Sequence, residues 1–460
     1  NDIAQIGTLC EKYNLYFILD ASQTAGTIEI DMEQNHISAI CFTGHKGLFG
    51  PQGTGGIALA DGVCVKPLLS GGSGVHSFER KHPMELPAAL EAGTLNGHGI
   101  AGLHAALDWI KKTGIAAIHE KEMALAEQFQ RGIETIPGIH IYGGEKRVAA
   151  IVSCNLADLD SAYVSDCLAE NYGIATRAGA HCAPQIHTHF GTEKQGMVRF
   201  SFSCFNTTEE VEKAVRAMQN IAAENRGKVT AYVGAGGKTS SIRKRAETLR
   251  AEGKRVLILT TTKMMVPQEQ EIFTAYEQTG QESVISATAS VWQERRAAEK
   301  QLKERVQSVL DTYGCCVAGS LIPDTEKFGM LSEKLMEDLL YLADEILIEA
   351  DGSAHMPVKA PAEHEPVLFP YMDEVVIVMG AHAIGKPLRE VCHRADYAKK
   401  ILKCDADKIV TATDIRVLAE QGYAIPIQKQ FPWMKISKVT GKDIKLCLTA
   451  EKKDKERDKQ

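Results

Sequence analysis

The apolar positions in the first half of the chain form short runs separated by longer amphipathic stretches. Short runs bounded by an acid or a glycine turn are typical of strands, and apolar positions spaced three or four apart are typical of helices. We predict strands over 16–19, 37–42 and 149–155, and helices over 99–112 and 208–224. The first strand ends at Asp20, and Thr207 or Thr208 is the predicted cap of the last helix.

A second pattern of the same kind begins after the polar break at 225–228. It predicts a strand over 229–233, a glycine loop over 234–237 and a helix over 239–252. Further strands are predicted over 255–260, 345–350 and 374–379. Because strands that alternate with helices form parallel sheets, we predict two α/β domains, 1–224 and 225–450.

Composition and charge exclude several classes of protein. The 460 residues exceed one domain of roughly 100–200 residues, and the 44% hydrophobic and 24% charged contents are typical of globular proteins. The net charge of -7 argues against a nucleic-acid partner, and the apolar runs are too short to span a membrane. Twelve cysteines without disulfide or zinc spacing predict a cytoplasmic setting.

The two ends of the chain are unlike a domain start and a domain end. The chain runs from Asn1 straight into a helix-like pattern, so we expect it to begin inside a domain. Residues 451–460 are almost all charged, and we expect a solvated tail there.

Asp20 and Lys46 are candidate cofactor ligands. A carboxylate at the end of a buried strand can keep a pyridinium nitrogen protonated, although a lone strand-ending Asp is more simply a turn cap. Lys46 lies in a glycine-rich loop and can form an imine with an aldehyde cofactor. Thr43 and His45 can donate to a phosphate, and Gln23 to a ring hydroxyl. The pairing of Asp20 with Lys46 favours a cofactor site over a surface lysine.

Cys182 is a candidate nucleophile. It follows His181 and lies downstream of Arg177, an electropositive setting that favours the thiolate. Arg199, on a predicted strand, can clamp a substrate carboxylate through two hydrogen bonds. A lone cysteine is more often a packed core thiol, so the neighbouring cations carry this interpretation.

Together these residues resemble class V aminotransferase-fold enzymes of the cysteine desulfurase and selenocysteine lyase group. The resemblance extends over residues 1–224. It is carried by the segments 20–23, 43–46, 91–96, 177–182 and 198–207. It implies part of a pyridoxal-phosphate-dependent transferase domain of fold type I, a homodimer, and cysteine or selenocysteine as substrate.

The resemblance also implies residue roles. Lys46 would be the Schiff-base lysine, and Cys182, beside His181, would attack the substrate sulfur or selenium. Asp20 would pair with the pyridine nitrogen of the cofactor, and Gln23 with its ring oxygen. Thr43 and His45 would bind its phosphate, and Thr94 would bind the phosphate of the partner subunit's cofactor. Arg199, with Arg177 nearby, would bind the substrate carboxylate. The family has a ring-stacking histidine upstream of its aspartate, and this chain begins too late to include one.

The glycine loop is a candidate phosphate site. Backbone amides of such a loop and the N-terminus of the next helix bind anions. Lys238 would reach phosphates, and Thr239 or Ser240 could bind Mg²⁺ together with Asp351, which follows the strand 345–350. The match to G-x-x-x-x-G-K-[ST] is imperfect, because Tyr232 stands at the first glycine. The predicted nucleotide-binding residues are Gly234, Gly236, Gly237, Lys238, Thr239 and Ser240.

The second half resembles a selenium-dependent hydroxylase accessory family known as YqeC. The resemblance extends over about 228–425, on the segments 233–239, 260–264, 349–353, 358–361, 373–380 and 394–396. The resemblance implies a role in maturing selenium-dependent molybdenum hydroxylases. The glycine loop itself predicts a P-loop-like α/β domain with a mainly parallel sheet and ATP or GTP with Mg²⁺ as ligand. The leading hypothesis is therefore a bifunctional maturation protein. The alternatives are a non-catalytic docking protein and a generic class V aminotransferase.

Overall fold

The computed structural model describes residues 2–72, 74, 78–143, 147–276 and 289–441. The chain divides into two compact units. The first comprises Asn1–Glu134, Ile141–Cys154 and Ser161–Ala217, and the second comprises the rest. The predicted charged tail at 451–460 lies outside the described residues.

The part of the chain up to residue 225 alternates strands and helices. Its strands are β1 (Ile18–Asp20), β2 (Ala39–Thr43), β3 (Gly55–Leu59), β4 (Ile139–Tyr142), β5 (Ile151–Leu156) and β6 (Val198–Ser201). Its α-helices are α1 (Ile3–Lys12), α2 (Gly97–Thr113), α3 (Ile115–Ile133), α4 (Ser161–Tyr172), α5 (Pro184–Phe190) and α6 (Thr208–Asn225), with a 3₁₀ turn at Ala88–Leu90. Thr207 caps α6: its hydroxyl accepts from the Glu210 N–H at 3.3 Å.

These strands form two three-stranded sheets, β1-β2-β3 and β4-β5-β6. β1 and β2 are parallel, with Asp20 opposite Cys41. β3 is antiparallel to β2, because the loop at 44–54 reverses the chain, and β6 is antiparallel to β5. The expectation of parallel pairing is therefore wrong for β3 and β6.

An aromatic cluster packs beside the Lys46 loop. The rings of Phe49, Trp109 and Phe205 lie with their centroids 5.2 to 5.6 Å apart. Next to Phe205, the Cys204 N–H donates to the buried Glu122 at 3.1 Å. Burial raises the pKa of Glu122. The cluster ties the loop after β2 to α2 and to the segment that follows β6.

Residues 228–441 alternate strands and helices in the same way. The strands are β7 (Lys228–Gly234), β8 (Val256–Thr260), β9 (Lys263–Met265), β10 (Phe273–Tyr276), β11 (Cys315–Leu321), β12 (Lys327–Gly329), β13 (Glu345–Glu349), β14 (Val358–Lys359), β15 (Glu374–Gly380), β16 (Cys392–His393) and β17 (Lys435–Gly441). The α-helices are α7 (Lys238–Ala251), α8 (Ala289–Tyr313), α9 (Glu333–Leu339), α10 (Leu388–Val391), α11 (Ala395–Leu402), α12 (Ala412–Val417) and α13 (Ile425–Gln430). Short 3₁₀ turns cover Gln270–Ile272 and Ala381–Ala383, and a π-helix at Leu418–Ala424 joins α12 to α13.

Nine described strands of this part form one sheet in the order β17-β15-β7-β13-β8-β11-β12-β9, with β10 paired to β11. The central strands β15, β7, β13, β8 and β11 are parallel, so their C-terminal ends meet at one edge. Alternate residues enter two cores: Ile346 and Ile348 pack in one, and Leu347 packs in the other with Ile242 and Leu249 of α7. Apolar cover on both faces explains the continuous apolar runs of these strands. Within the described ranges, no helix is both long and apolar enough to cross a bilayer.

Candidate functional site

Asp20 and the Lys46 loop lie at the same edge of the first sheet, because β1 and β2 run parallel. The Asp20 carboxylate accepts from the Ser22 N–H at 2.9 Å and from the Ser22 hydroxyl at 2.5 Å. These hydrogen bonds, aided by the charge of Lys46, lower the pKa of Asp20. Asp20 is therefore an anion with a lysine ammonium nearby.

Close backbone contacts hold the Lys46 loop against the turn that follows β1. A Cβ added at Gly47 would come 2.6 Å from the Ala25 carbonyl oxygen, and one at Gly26 would come 2.3 Å from the Gly47 carbonyl oxygen. The loop closes on itself through the Phe49 N–H, which donates to the Lys46 carbonyl at 2.9 Å. The side chain of Lys46 is exposed at this edge.

The other predicted cofactor ligands surround this edge to different degrees. The Thr43 hydroxyl donates to the Ser22 carbonyl at 3.5 Å, so Thr43 lies between Asp20 and the Lys46 loop. Gln23 and His45 are exposed on the same two turns. Thr94 is exposed in the loop before α2, where Asn96 caps the helix by accepting from the Gly99 N–H at 3.0 Å.

Cys182 lies beside two arginines. The backbones of Arg177 and Arg199 exchange two hydrogen bonds, of 3.2 and 2.8 Å, which place the two side chains close together. Arg177 Nη2 lies 3.5 Å from Cys182 Sγ. His181 and Cys182 have φ angles of 52° and 60°, and this left-handed turn brings the exposed thiol back over Arg177.

The charges around Cys182 favour an anion there. Burial and the charge of Arg177 lower the pKa of Arg199. The interaction with Cys182 raises it. Arg199 Nε is buried and has no hydrogen-bond partner within the described residues. Burial also lowers the pKa of His181, which favours its neutral form. An acceptor that reached Arg199 Nε would satisfy this unpaired donor.

The glycine loop of the second unit is only three residues long, Ala235 to Gly237, between β7 and α7. Gly234, Gly236 and Gly237 all have positive φ. A Cβ on Gly236 would come 2.4 Å from the Pro357 carbonyl oxygen, so only glycine fits there. Tyr232, at the position where the phosphate-loop pattern needs glycine, is a buried residue of β7. The loop is thus shorter than that pattern predicts.

Lys238 and Thr239 begin α7 beside two acids. The Lys238 ammonium is buried and donates to the Gly234 carbonyl at 2.8 Å and to the Ser353 hydroxyl at 3.3 Å. Burial lowers its pKa, against the attraction of Glu349 and Asp351. The Thr239 hydroxyl donates to Glu349 at 2.9 Å, and burial raises the pKa of Glu349.

Asp351 is fully buried, and protein donors occupy both of its carboxylate oxygens. One accepts from the Gly234 N–H at 3.1 Å and from the Tyr423 hydroxyl at 2.7 Å, and the other pairs with Lys359. Lys359, equally buried, also pairs with Glu365 at 2.8 Å. The structure therefore places Glu349, rather than Asp351, against Thr239. In the described part of the chain, no group of three or more His, Cys, Asp or Glu residues is arranged to hold a metal.

The comparison with protein-family models separates the same two halves. The model for aminotransferase class-V matches residues 1–214, and the model for YqeC protein matches residues 230–396. The chain carries an aminotransferase class-V domain followed by a YqeC domain. The two resemblances predicted from the sequence are confirmed.

The relatives of the aminotransferase class-V domain are named as cysteine desulfurases. A probable cysteine desulfurase of Methanothermobacter thermautotrophicus is 34% identical over 226 residues, which are 48% of this chain and 56% of that protein. A cysteine desulfurase of Shigella flexneri is 30% identical over 226 residues, or 48% and 54% of the two chains. The chain thus spans about half the length of the curated relatives it matches. The apo cysteine desulfurase from Thermococcus onnurineus NA1 is 29% identical with a TM-score of 0.45, covering 48% of this chain and 56% of that one.

Pyridoxal phosphate, which the aminotransferase class-V domain implies, fits the residues present. The Asp20 carboxylate, whose pKa is lowered, can pair with a pyridinium nitrogen, and the exposed amine of Lys46 can form an imine with an aldehyde. The buried, unpaired Nε of Arg199 is a donor for a carboxylate.

Sequence reasoning assigned no functional role to Tyr423 or Arg394, which the structure joins to the buried acids and Lys359 near the glycine loop. Tyr423 reaches Asp351 from the π-helix, and Arg394 pairs with Glu365 at 2.9 Å. Tyr423 lies 72 positions from Asp351, and no local pattern marks so distant a contact. Lys359 lies in the segment 358–361, which carries the YqeC resemblance, but no local motif predicted its two acidic partners.

Proposed function

We propose that the aminotransferase class-V domain releases sulfur from cysteine or selenium from selenocysteine with pyridoxal phosphate as cofactor. The observation that carries this proposal is the thiol of Cys182, 3.5 Å from Arg177 Nη2 and next to a buried, unpaired donor of Arg199. Two guanidinium groups place positive charge beside this thiol, which is the atom that would attack sulfur or selenium. The names of the relatives support the same reaction.

Pyridoxal phosphate, when bound, supplies an electron sink for the substrate carbons. Lys46 would hold its aldehyde carbon, and Asp20 would keep its ring nitrogen protonated. Thr43, His45 and Gln23 would donate to its phosphate and ring oxygen. Thr94 would donate to the phosphate of a second subunit in a homodimer.

Arg199, Arg177 and Cys182 would position the substrate and cleave its carbon–sulfur or carbon–selenium bond. Arg199, assisted by Arg177, would bind the substrate carboxylate and so point its sulfur or selenium toward Cys182. The Cys182 thiolate would attack that atom: the new S–S or S–Se bond forms as the bond to carbon breaks. The products are alanine, once its carbon has taken a proton, and a persulfide or selenenyl sulfide on Cys182. A neutral His181 beside the thiol is available to exchange protons.

For the YqeC domain we propose binding of a nucleotide, ATP or GTP, with Mg²⁺. The glycine loop, the N-terminus of α7 and the buried ammonium of Lys238 support an anion at this edge. Thr239, Ser240 and Glu349 would supply oxygen ligands for the Mg²⁺. Asp351, predicted as a metal ligand, would instead fix the loop through the Gly234 N–H. In this proposal the domain serves the maturation of selenium-dependent molybdenum hydroxylases in the cytoplasm, and tethering raises the local concentration of the released element.

Alanine formation tests the first proposal. The full chain, supplied with pyridoxal phosphate, is incubated with cysteine or with selenocysteine, and alanine is measured together with the visible absorption of the bound cofactor. We expect absorption and alanine from at least one substrate. Absorption without alanine from either would favour a generic class V aminotransferase. The loss of both signals, with nucleotide binding retained, would favour a non-catalytic docking protein.

Replacement of Arg199 should weaken substrate binding more than it weakens cofactor binding. Arg199→Ala removes the bidentate donor, so we expect KM for cysteine to rise by about 10–100-fold. Arg199→Lys keeps the positive charge but loses the two-pronged guanidinium, so its KM should lie between those of the parent chain and Arg199→Ala. Steady-state kinetics measure both variants. An unchanged KM in Arg199→Ala would remove this residue from the substrate site.

A further inference from the structure

A groove of about 250 Å³ runs along α7 in the YqeC domain, between that helix and the segment 264–272. Its floor is apolar and includes Ile242, Ala246, Ile258 and Val317, which are all buried. Its rim is polar, with the exposed Arg243 and Glu247 on the helix side. An apolar floor with a few polar rim groups is typical of sites for small organic ligands.

One end of this groove lies at the first turn of α7, which directly follows the glycine loop. Thr239 lines the groove, and the same residue hydrogen-bonds Glu349 and directly follows Lys238. One molecule can therefore place an anionic part on the loop and the rest of its body in the groove.

The lining of the groove favours a flat ring over a flexible chain. Met264 is nearly buried and Met265 is half exposed, and both line the groove opposite α7. Thioether side chains pack well against aromatic rings and adjust to their shape. The volume lies below the usual range of roughly 300–1,000 Å³ for drug-sized ligands, which suits a base and its sugar.

We propose that this groove binds the nucleoside part of a phosphorylated ligand whose phosphates lie on the glycine loop. This inference rests on the proposed nucleotide binding at Lys238 and extends it to the groove. The phosphates would contribute most of the electrostatic binding energy, and the groove would distinguish a nucleotide from inorganic phosphate chains.

Calorimetric titration of the full chain with ATP, GTP and inorganic tripolyphosphate, each with Mg²⁺, tests the inference. At least one nucleotide should bind about 10-fold more tightly than tripolyphosphate, because only the nucleotide buries apolar surface in the groove. Ala246→Leu fills part of the groove and should reduce nucleotide affinity to that of tripolyphosphate, while tripolyphosphate affinity stays unchanged. Ala251→Leu, an exposed position on the same helix outside the groove, is the matched control.

A second variant guards against loss of folding in Ala246→Leu. Met265→Ala removes a half-exposed wall of the groove and should weaken nucleotide binding by about 3–10-fold, with tripolyphosphate unaffected. Equal affinities for nucleotides and tripolyphosphate, unmoved by either variant, would overturn the role of the groove but keep the anion site. If neither ligand binds, the proposed function of the loop fails, and the inference fails with it.

Discussion

Cys182→Ser should reduce the release of sulfur or selenium by at least about 100-fold, since an alcohol next to arginine stays protonated and cannot replace a thiolate as nucleophile. The variant should still bind pyridoxal phosphate, because Cys182 is not one of the predicted cofactor ligands. The thiol lies beside Arg177 and Arg199, whereas Asp20 and Lys46 lie at the edge of the sheet β1-β2-β3. Alanine formation and visible absorption, measured on the same sample, separate these two expectations.

The control for this prediction is Cys64→Ser, which changes another exposed, free cysteine of the same domain. It should leave alanine formation within about twofold of the parent chain, as surface substitutions away from a site usually do. Lys46→Ala should have a third signature, with both the absorption and the alanine lost. Full alanine formation in Cys182→Ser would contradict the thiol mechanism.

Lys359→Met should destabilise the YqeC domain by about 3–5 kcal/mol, because removal of one partner leaves the other charge buried without compensation. Lys359 and Asp351 are both fully buried, and Asp351 also holds the Gly234 N–H and the Tyr423 hydroxyl. Loss of the ion pair should therefore also weaken the hydrogen bonds by which Asp351 positions the glycine loop. Chemical denaturation followed by circular dichroism measures the change in the free energy of unfolding.

Lys399→Met is the matched control, because Lys399 pairs with Asp396 at the surface, at 3.8 Å. It should change the stability by less than about 1 kcal/mol. The double variant Lys359→Met with Asp351→Leu should recover part of the loss, since no unpaired charge remains. A single variant as stable as the control would show that the buried pair does not hold this edge of the sheet together.

The sequence predicted the positions of Asp20 and Lys46 in the fold, because these depend on strand ends. Asp20 ends β1 and Lys46 follows β2, and parallel pairing of these two strands brings both to one edge. The antiparallel pairing of β6 with β5 was not foreseen, because strand direction depends on the whole path of the chain between them. The contact between Arg177 and Cys182 was predicted only as a shared neighbourhood, and the left-handed turn at Cys182 makes it a contact.

In the YqeC domain the sequence predicted the edge of the sheet but not which acid faces the loop helix. The period of two along β13 puts Glu349 on the same face as Leu347, toward α7, where Thr239 meets it. Asp351 lies beyond the end of β13, so the turn and not the strand decides its direction. That turn directs its carboxylate to Lys359 and Tyr423. Period-two reasoning therefore holds within a strand and fails two residues past its end.

The mass of Cys182, after the chain loaded with pyridoxal phosphate has reacted with cysteine, shows whether this thiol takes the sulfur atom. Proteolysis under non-reducing conditions and mass spectrometry of the peptide that contains Cys182 should show the added mass of one sulfur atom. The peptide that contains Cys64 should show none. Alanine formation with an unmodified Cys182, or sulfur found equally on both peptides, would contradict the transfer of sulfur to Cys182.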